Sequence, residues 1–261
     1  MFDMTKIKTI TKYPEINKVL SALTEGITNI FENELIGVYL LGSLTYGDFK
    51  PGRSDIDLMV VIKYKVTDNQ LIQIKSLHNK IDEIYPEWNH RIECSYTPIA
   101  MLSSIVPPGS RPYYGEGVLY PTADYGYEWI VNEYILYTYG IALIGPAFKT
   151  ISPSIDINEV KRARVQDLIV EWLPKKKDPK YFENSHYQSY FVLHMCRILH
   201  TLVAGKVGSK KSASDWAKNE YPEFANLIET AESWEYGKDM KMKSEAIKFL
   251  DLAINKSQNL Y

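Results

Sequence analysis

Two aspartates stand two residues apart at the head of an uninterrupted apolar run, Ser54-Asp55-Ile-Asp57-Leu-Met-Val-Val-Ile62. Residues i and i+2 of a strand share a face, so the two carboxylates project side by side. Like charges held that close repel unless a cation sits between them. A buried carboxylate without a partner is costly, so a surface turn running into a strand explains the pair poorly. Just upstream, Leu35-Ile-Gly-Val-Tyr-Leu-Leu41 is a second buried strand, and it runs directly into Gly42-Ser43. Backbone N–H groups and a hydroxyl at that turn suit a triphosphate. Hard divalent cations such as Mg²⁺ take one or two carboxylates plus substrate phosphates, so Asp55 and Asp57 are candidate Mg²⁺ ligands.

The surrounding pattern is α/β. Pro14 to Phe31 carries Ile16, Val19, Leu20, Leu23, Ile27 and Ile30 at helical spacing, with proline in the first turn. Asp68 to Ile84 repeats that spacing. Arg91 to Thr97 alternates as a third strand, with Glu93 on the face of Arg91, Ser95 and Thr97. If this strand neighbours the Asp55/Asp57 strand, Glu93 completes a carboxylate cluster; otherwise it is an edge glutamate in solvent. The stretch 105–124, rich in Pro, Gly and Tyr, has no clear period and reads as a functional loop or lid.

Past about Thr150 the texture is helical: Glu128–Tyr139 before the junction, then Asp156 to Leu173 stopped by Pro174, His186 to Ala204 ended by Gly205, Lys210 to Asn219, and Lys241 to Asn255. The expected architecture is therefore an α/β N-terminal domain with a mixed sheet over residues 1–150, followed by an all-α helical-bundle domain over 151–261.

A net charge of −2 gives no basic footprint for a long nucleic acid. The two cysteines, Cys94 and Cys196, lack metal-ligand spacing and read as small core residues in a reducing compartment. No apolar leader or membrane-length run occurs, so a cytoplasmic location is expected.

Gly-Ser, a loop, Ser-Asp-Ile-Asp-Leu and a later strand glutamate together resemble the DNA polymerase β-type nucleotidyltransferases. The segments Gly140-Ile-Ala-Leu-Ile-Gly-Pro146, Arg197-Ile-Leu-His-Thr-Leu-Val-Ala-Gly-Lys206 and Ser209-Lys210-Lys-Ser-Ala-Ser-Asp215-Trp216-Ala resemble the aminoglycoside adenylyltransferases that modify streptomycin and spectinomycin. The resemblance implies an ATP- and Mg²⁺-dependent enzyme adenylylating a drug hydroxyl with release of pyrophosphate. It makes Gly42, Ser43, Ser54 and Lys210 nucleotide-binding residues, Asp55 and Asp57 the metal ligands, and Glu93 the base that deprotonates the acceptor. In other branches the third carboxylate is a metal ligand, and that alternative stays open. A polycationic acceptor calls for carboxylates and a stacking face, for which Glu128, Asp178 and Trp172 are the candidates. A nucleotidyltransferase acting on another small molecule, a protein or RNA, or a non-catalytic nucleotide-binding module, remain alternative readings of the same residues.

Overall fold

The computed structural model describes residues 9–103, 109–178 and 180–258. The chain divides into two compact units, Met1–Ser154 and Ile155–Tyr261.

The first unit is built on α1 (Pro14–Phe31), β1 (Leu35–Leu41), α2 (Ser43–Tyr46), β2 (Ile56–Ile62), α3 (Asp68–Ile84), β3 (Ile92–Pro98), β4 (Ser110–Gly115), β5 (Val118–Asp124), α4 (Glu128–Tyr139) and β6 (Ile141–Ile144). The strands form one mixed sheet in the order β5-β4-β3-β2-β1-β6. Among the described strands only β2 and β3 run parallel, as expected of strands joined through a crossover helix. A capping box starts that helix: the Thr67 side chain accepts from the Gln70 backbone N–H, and the Gln70 side chain accepts from that of Thr67.

Alternation along the strands sorts the two faces. Val38, Leu40, Leu58, Val60, Cys94 and Tyr96 pack under the apolar stripes of α1 and α3, including Leu20, Leu23, Ile27 and Ile74. Burying each such aliphatic side chain contributes roughly 1.5–3 kcal/mol. Tyr39, Met59 and Val61 point the other way and pack with Trp129 and Leu136 of α4 and with Phe148. Asp57 lies two residues before Met59 and so stands at the end of this second face.

The stretch expected to be an aperiodic loop is instead a hairpin over its described part, β4 and β5, paired from Ser110↔Asp124 to Gly115↔Val118. Residues 105–108 lie outside the described residues. The hairpin escapes pattern reading because β5 is an edge strand with most of its residues exposed, which erases the apolar alternation.

Glu133 of α4 is only 1% exposed, and its Oε1 finds no hydrogen-bond partner among the described residues. Burial pushes its carboxyl up to about 8 from an ordinary value of 4.5, with Ser152 as the hydrogen-bonding neighbour that opposes the rise. Between those values the unfolded chain releases a proton that the folded chain keeps, so the fold loses stability as pH rises through this window. Glu133→Gln removes the effect. Its unfolding temperature should gain on that of the unmutated protein between pH 5 and pH 8.5, by the equivalent of roughly 2–4 kcal/mol.

The second unit comprises α5 (Ile157–Asp167), a π-helical turn at Leu168–Trp172, α6 (Leu173–Lys175), α7 (Ser185–Ala204), α8 (Lys210–Glu220), α9 (Ala225–Ser233) and α10 (Lys243–Gln258). Pro174 does not stop the helix at Leu173 but sits in the first turn of α6, where a missing N–H costs little. The core gathers Leu168, Phe191, Met195, Cys196, Leu199, Ala213, Ile228, Phe249 and Leu250 around α7, whose burial on most sides explains its long apolar run. Cys94 and Cys196 are both free and buried. Among the described residues no helix is long and apolar enough to cross a membrane.

Candidate functional site

The site forms where β1 ends and β2 and β3 begin. Asp57 is the register partner of Leu41 on β1 and of Glu93 on β3. In-register neighbours point to the same face, so the Asp57 and Glu93 carboxyl groups stand side by side on adjacent strands. Each is partly buried.

Asp55 belongs to the same face but leans toward Arg91, whose Nε lies 3.8 Å from Asp55 Oδ1. The Arg91 guanidinium also donates to the backbone carbonyls of Pro51 and Ser54 and covers the Trp88 ring. It thereby ties the 51–54 turn to the start of β3. Among the described residues no three carboxylate, imidazole or thiol groups converge to hold a metal. The register sets Asp57 and Glu93 side by side, while Asp55 lies beside the Arg91 guanidinium, which offsets its charge. Two aspartates and a turn open to phosphate oxygens still match the ligand set of Mg²⁺, which keeps few protein carboxylates.

Gly42 shapes the approach to this pair. Its φ of +70° and ψ of −152° lie in a region essentially reserved for glycine. A Cβ there would collide with Asp57 Oδ2. The backbone can pass this close to the carboxylate only without a side chain. Gly42→Ala should lower stability by roughly 1–3 kcal/mol in urea unfolding, from strain and contact together. Gly47 is the control, because at φ +80° it has nothing within 4 Å of where a methyl group would stand. There alanine should cost only the left-handed backbone penalty of about 1–2 kcal/mol.

Ser43 opens α2 directly after Gly42, and the turn is closed by Thr45, whose N–H and hydroxyl both reach the Gly42 carbonyl at 3.0 and 2.8 Å. Ser54 is placed differently: its hydroxyl accepts the Lys50 N–H at 3.0 Å and closes the turn before Asp55.

The β4–β5 hairpin continues the sheet beyond β3. Tyr113 is the register partner of Ser95, two residues along from Glu93 on the same face, and its ring lies over Gly115, with the hydroxyl 2.8 Å from where a Cβ of Gly115 would stand. Burial first, and then the Glu93 and Asp57 carboxylates, hold the Tyr113 phenol well above its ordinary range. Arg111 is 9% exposed; it donates to the carbonyls of Ala123 and Asp124 at 2.8 and 3.0 Å and to Ser95 Oγ at 3.4 Å. Its guanidinium lies 3.7 Å from the centre of the Tyr125 ring and 5.0 Å from that of Tyr113. Neither Arg111 nor Tyr113 stands out in the sequence, because their meaning depends on strand pairing. The one available signal is alternation, Arg111 and Tyr113 being two apart.

The three acceptor candidates fare unequally. Glu128 starts α4, and its Oε1 accepts the Gly126 N–H at 3.0 Å, which makes it a helix-start brace. Trp172 is not an open stacking face: it is 5% exposed, surrounded by Tyr181, Tyr190, Phe191 and His194 and with Lys175 Nζ 5.0 Å from its ring centre. The largest apolar body of its neighbourhood has gone into the core of the second unit. Asp178 is exposed, with Oδ1 accepting the Lys180 N–H at 2.9 Å. Lys210 begins α8 behind the Ser209 cap, exposed, with Nζ 5.8 Å from the centre of the Tyr190 ring.

Comparison with known proteins adds to this geometry. Residues 25–90 match the nucleotidyltransferase domain family, and residues 157–255 match the aminoglycoside adenylyltransferase C-terminal domain family. A spectinomycin 9-adenylyltransferase of Campylobacter jejuni is 24% identical over 241 residues, covering 85% of each chain. An aminoglycoside (3'')(9) adenylyltransferase of Shigella flexneri is 24% identical over 248 residues, covering 89% of this chain and 90% of the relative. Among solved structures, a spectinomycin adenyltransferase from Enterococcus faecialis, crystallised with ATP and spectinomycin, superposes with a TM-score of 0.70 at 18% identity over 92% of this chain and 98% of that one.

Proposed function

We infer that this chain, which belongs with the aminoglycoside adenylyltransferases of the nucleotidyltransferase superfamily, transfers adenylate from ATP to a hydroxyl of an aminoglycoside or aminocyclitol of the spectinomycin or streptomycin type, releasing pyrophosphate. The relatives that match along most of the chain carry those activities, and both halves of the chain match corresponding domain families. The single observation that carries the reading is the in-register pair Asp57 and Glu93, beside a Gly42 backbone that only glycine allows so close.

In this reading Asp55 and Asp57 would hold Mg²⁺, which would supply charge stabilisation to the reacting phosphate. Gly42 and Ser43 receive the phosphates at the turn leaving β1, and Ser54 holds the loop that presents Asp55. Lys210 is read as a nucleotide-binding cation, an assignment that rests on the Ser209-Lys210…Asp215-Trp216 motif. Glu93 accepts the proton of the acceptor hydroxyl as that oxygen attacks the α-phosphate. The P–O bond to pyrophosphate breaks, and the new ester keeps the α-phosphoryl group. Asp178 remains the acceptor-side candidate, an exposed carboxylate suited to a cationic sugar.

The test is pyrophosphate release from ATP and Mg²⁺ with spectinomycin or streptomycin as acceptor. Release that needs a drug supports the reading and names the acceptor. If neither drug elicits release from protein that binds ATP, the acceptor class is wrong.

A further inference from the structure

Glu93 is useful as a base only if its carboxylate is held in one orientation, with one oxygen left for the acceptor. Nothing on β3 itself does this: Ser95 and Thr97 on the same face are engaged elsewhere, Ser95 Oγ with Arg111 at 3.4 Å and Thr97 Oγ1 with the Tyr125 hydroxyl at 2.6 Å. The β4 strand supplies the remaining partner. Tyr113 faces Ser95 across the ladder and reaches over Gly115, the residue that the same antiparallel register carries opposite Glu93. Its ring is backed by Tyr120, at 6.4 Å between centres, and flanked by the Arg111 guanidinium.

Arg111 is an expensive residue to bury for structural purposes alone. Its donors fix the end of β5 through Ala123 and Asp124, and its plane packs between two tyrosine rings. A guanidinium fork locked in this way fixes the rings it touches.

We propose that Tyr113 is a positioning residue for Glu93: its hydroxyl donates to one carboxylate oxygen, leaving the other for the acceptor hydroxyl, and Arg111 clamps the phenol in place. The inference rests on the assignment of Glu93 as the base. A phenol is a hydrogen-bond donor at neutral pH, because its ordinary pKa is about 10. Its contribution is one of orientation, and misplacement of a reacting group by about 1 Å can cost roughly 10²-fold.

Two experiments decide it. In steady-state kinetics Tyr113→Phe should lower kcat about tenfold while leaving KM for ATP within about twofold, the pattern of an interaction made in the transition state. In a Glu93→Gln background the same substitution should have no further effect, because a residue that acts through the base has nothing left to act on. An equal loss in both backgrounds would overturn the proposal, since that is how a general structural defect behaves. The second experiment needs no activity. Urea unfolding midpoints of Tyr113→Phe, Glu93→Ala and the double variant should be non-additive, as for two side chains in contact. Additive midpoints would remove the contact and the proposal with it. If no acceptor is turned over by the unmutated protein, the functional reading fails by itself, and the unfolding cycle still decides whether Tyr113 holds Glu93.

Discussion

Asp57→Ala should reduce drug-dependent pyrophosphate release by about 10³-fold or more without unfolding the protein. The magnitude follows from the role proposed for this carboxylate: charge stabilisation of a phosphoryl oxygen by a bound metal is worth several kcal/mol, and each 1.36 kcal/mol is about tenfold in rate. The sign of the stability change is a separate and more discriminating expectation. Asp57 stands beside Glu93, with Asp55 two residues away on the same face. Removing one of several neighbouring negative charges relieves repulsion, so the variant's unfolding midpoint in metal-free buffer should stay level or rise. Added Mg²⁺ should stabilise the unmutated protein more than the variant, because only ligand binding to the native state raises its stability. A variant that loses activity and also loses several degrees of stability would mean that Asp57 supports the fold, not the metal.

Glu93→Gln is the second. General-base help is typically worth ~10²–10⁴-fold, and the amide keeps size and hydrogen-bonding reach while losing the ability to take a proton. The loss should fall on kcat, with ATP affinity measured by titration nearly unchanged. If ATP or Mg²⁺ affinity falls in step with turnover, Glu93 is a metal ligand, the alternative its position beside Asp57 also allows. If turnover stays near normal in folded protein, neither role stands.

Much of the first unit was legible because its central strands are apolar without interruption and its two covering helices carry clean stripes. Pro14–Phe31, Leu35–Leu41, Ile56–Ile62 and Asp68–Ile84 fold over the spans their patterns indicate. What was not legible depends on pairing. β6 is a four-residue strand, too short for a period, and β5 is mostly solvent-exposed. Within the site, the spacing of Asp55 and Asp57 places them on one face, but only the register shows that Glu93 neighbours Asp57 and that Asp55 turns to Arg91. Trp172 shows the opposite failure. An indole near carboxylates reads as a binding face, yet the π-helical turn at Leu168–Trp172 brings it inward against α7.

The parallel pairing of β2 with β3 has a consequence for how this chain tolerates change. The spacing between Asp57 and Glu93 is set by main-chain hydrogen bonds, which every residue type except proline can make, and not by the connection that links the two strands. That connection is long, and residues 63–65 at its start are exposed. Insertions there lengthen a surface excursion at small entropic cost and leave the ladder alone. A single residue added inside β3 is another matter, since it turns Glu93 to the opposite side of the sheet, into the apolar layer beneath α1 and α3. The geometry of the proposed site is thus robust to drift in length on its periphery and brittle to a one-residue shift in phase.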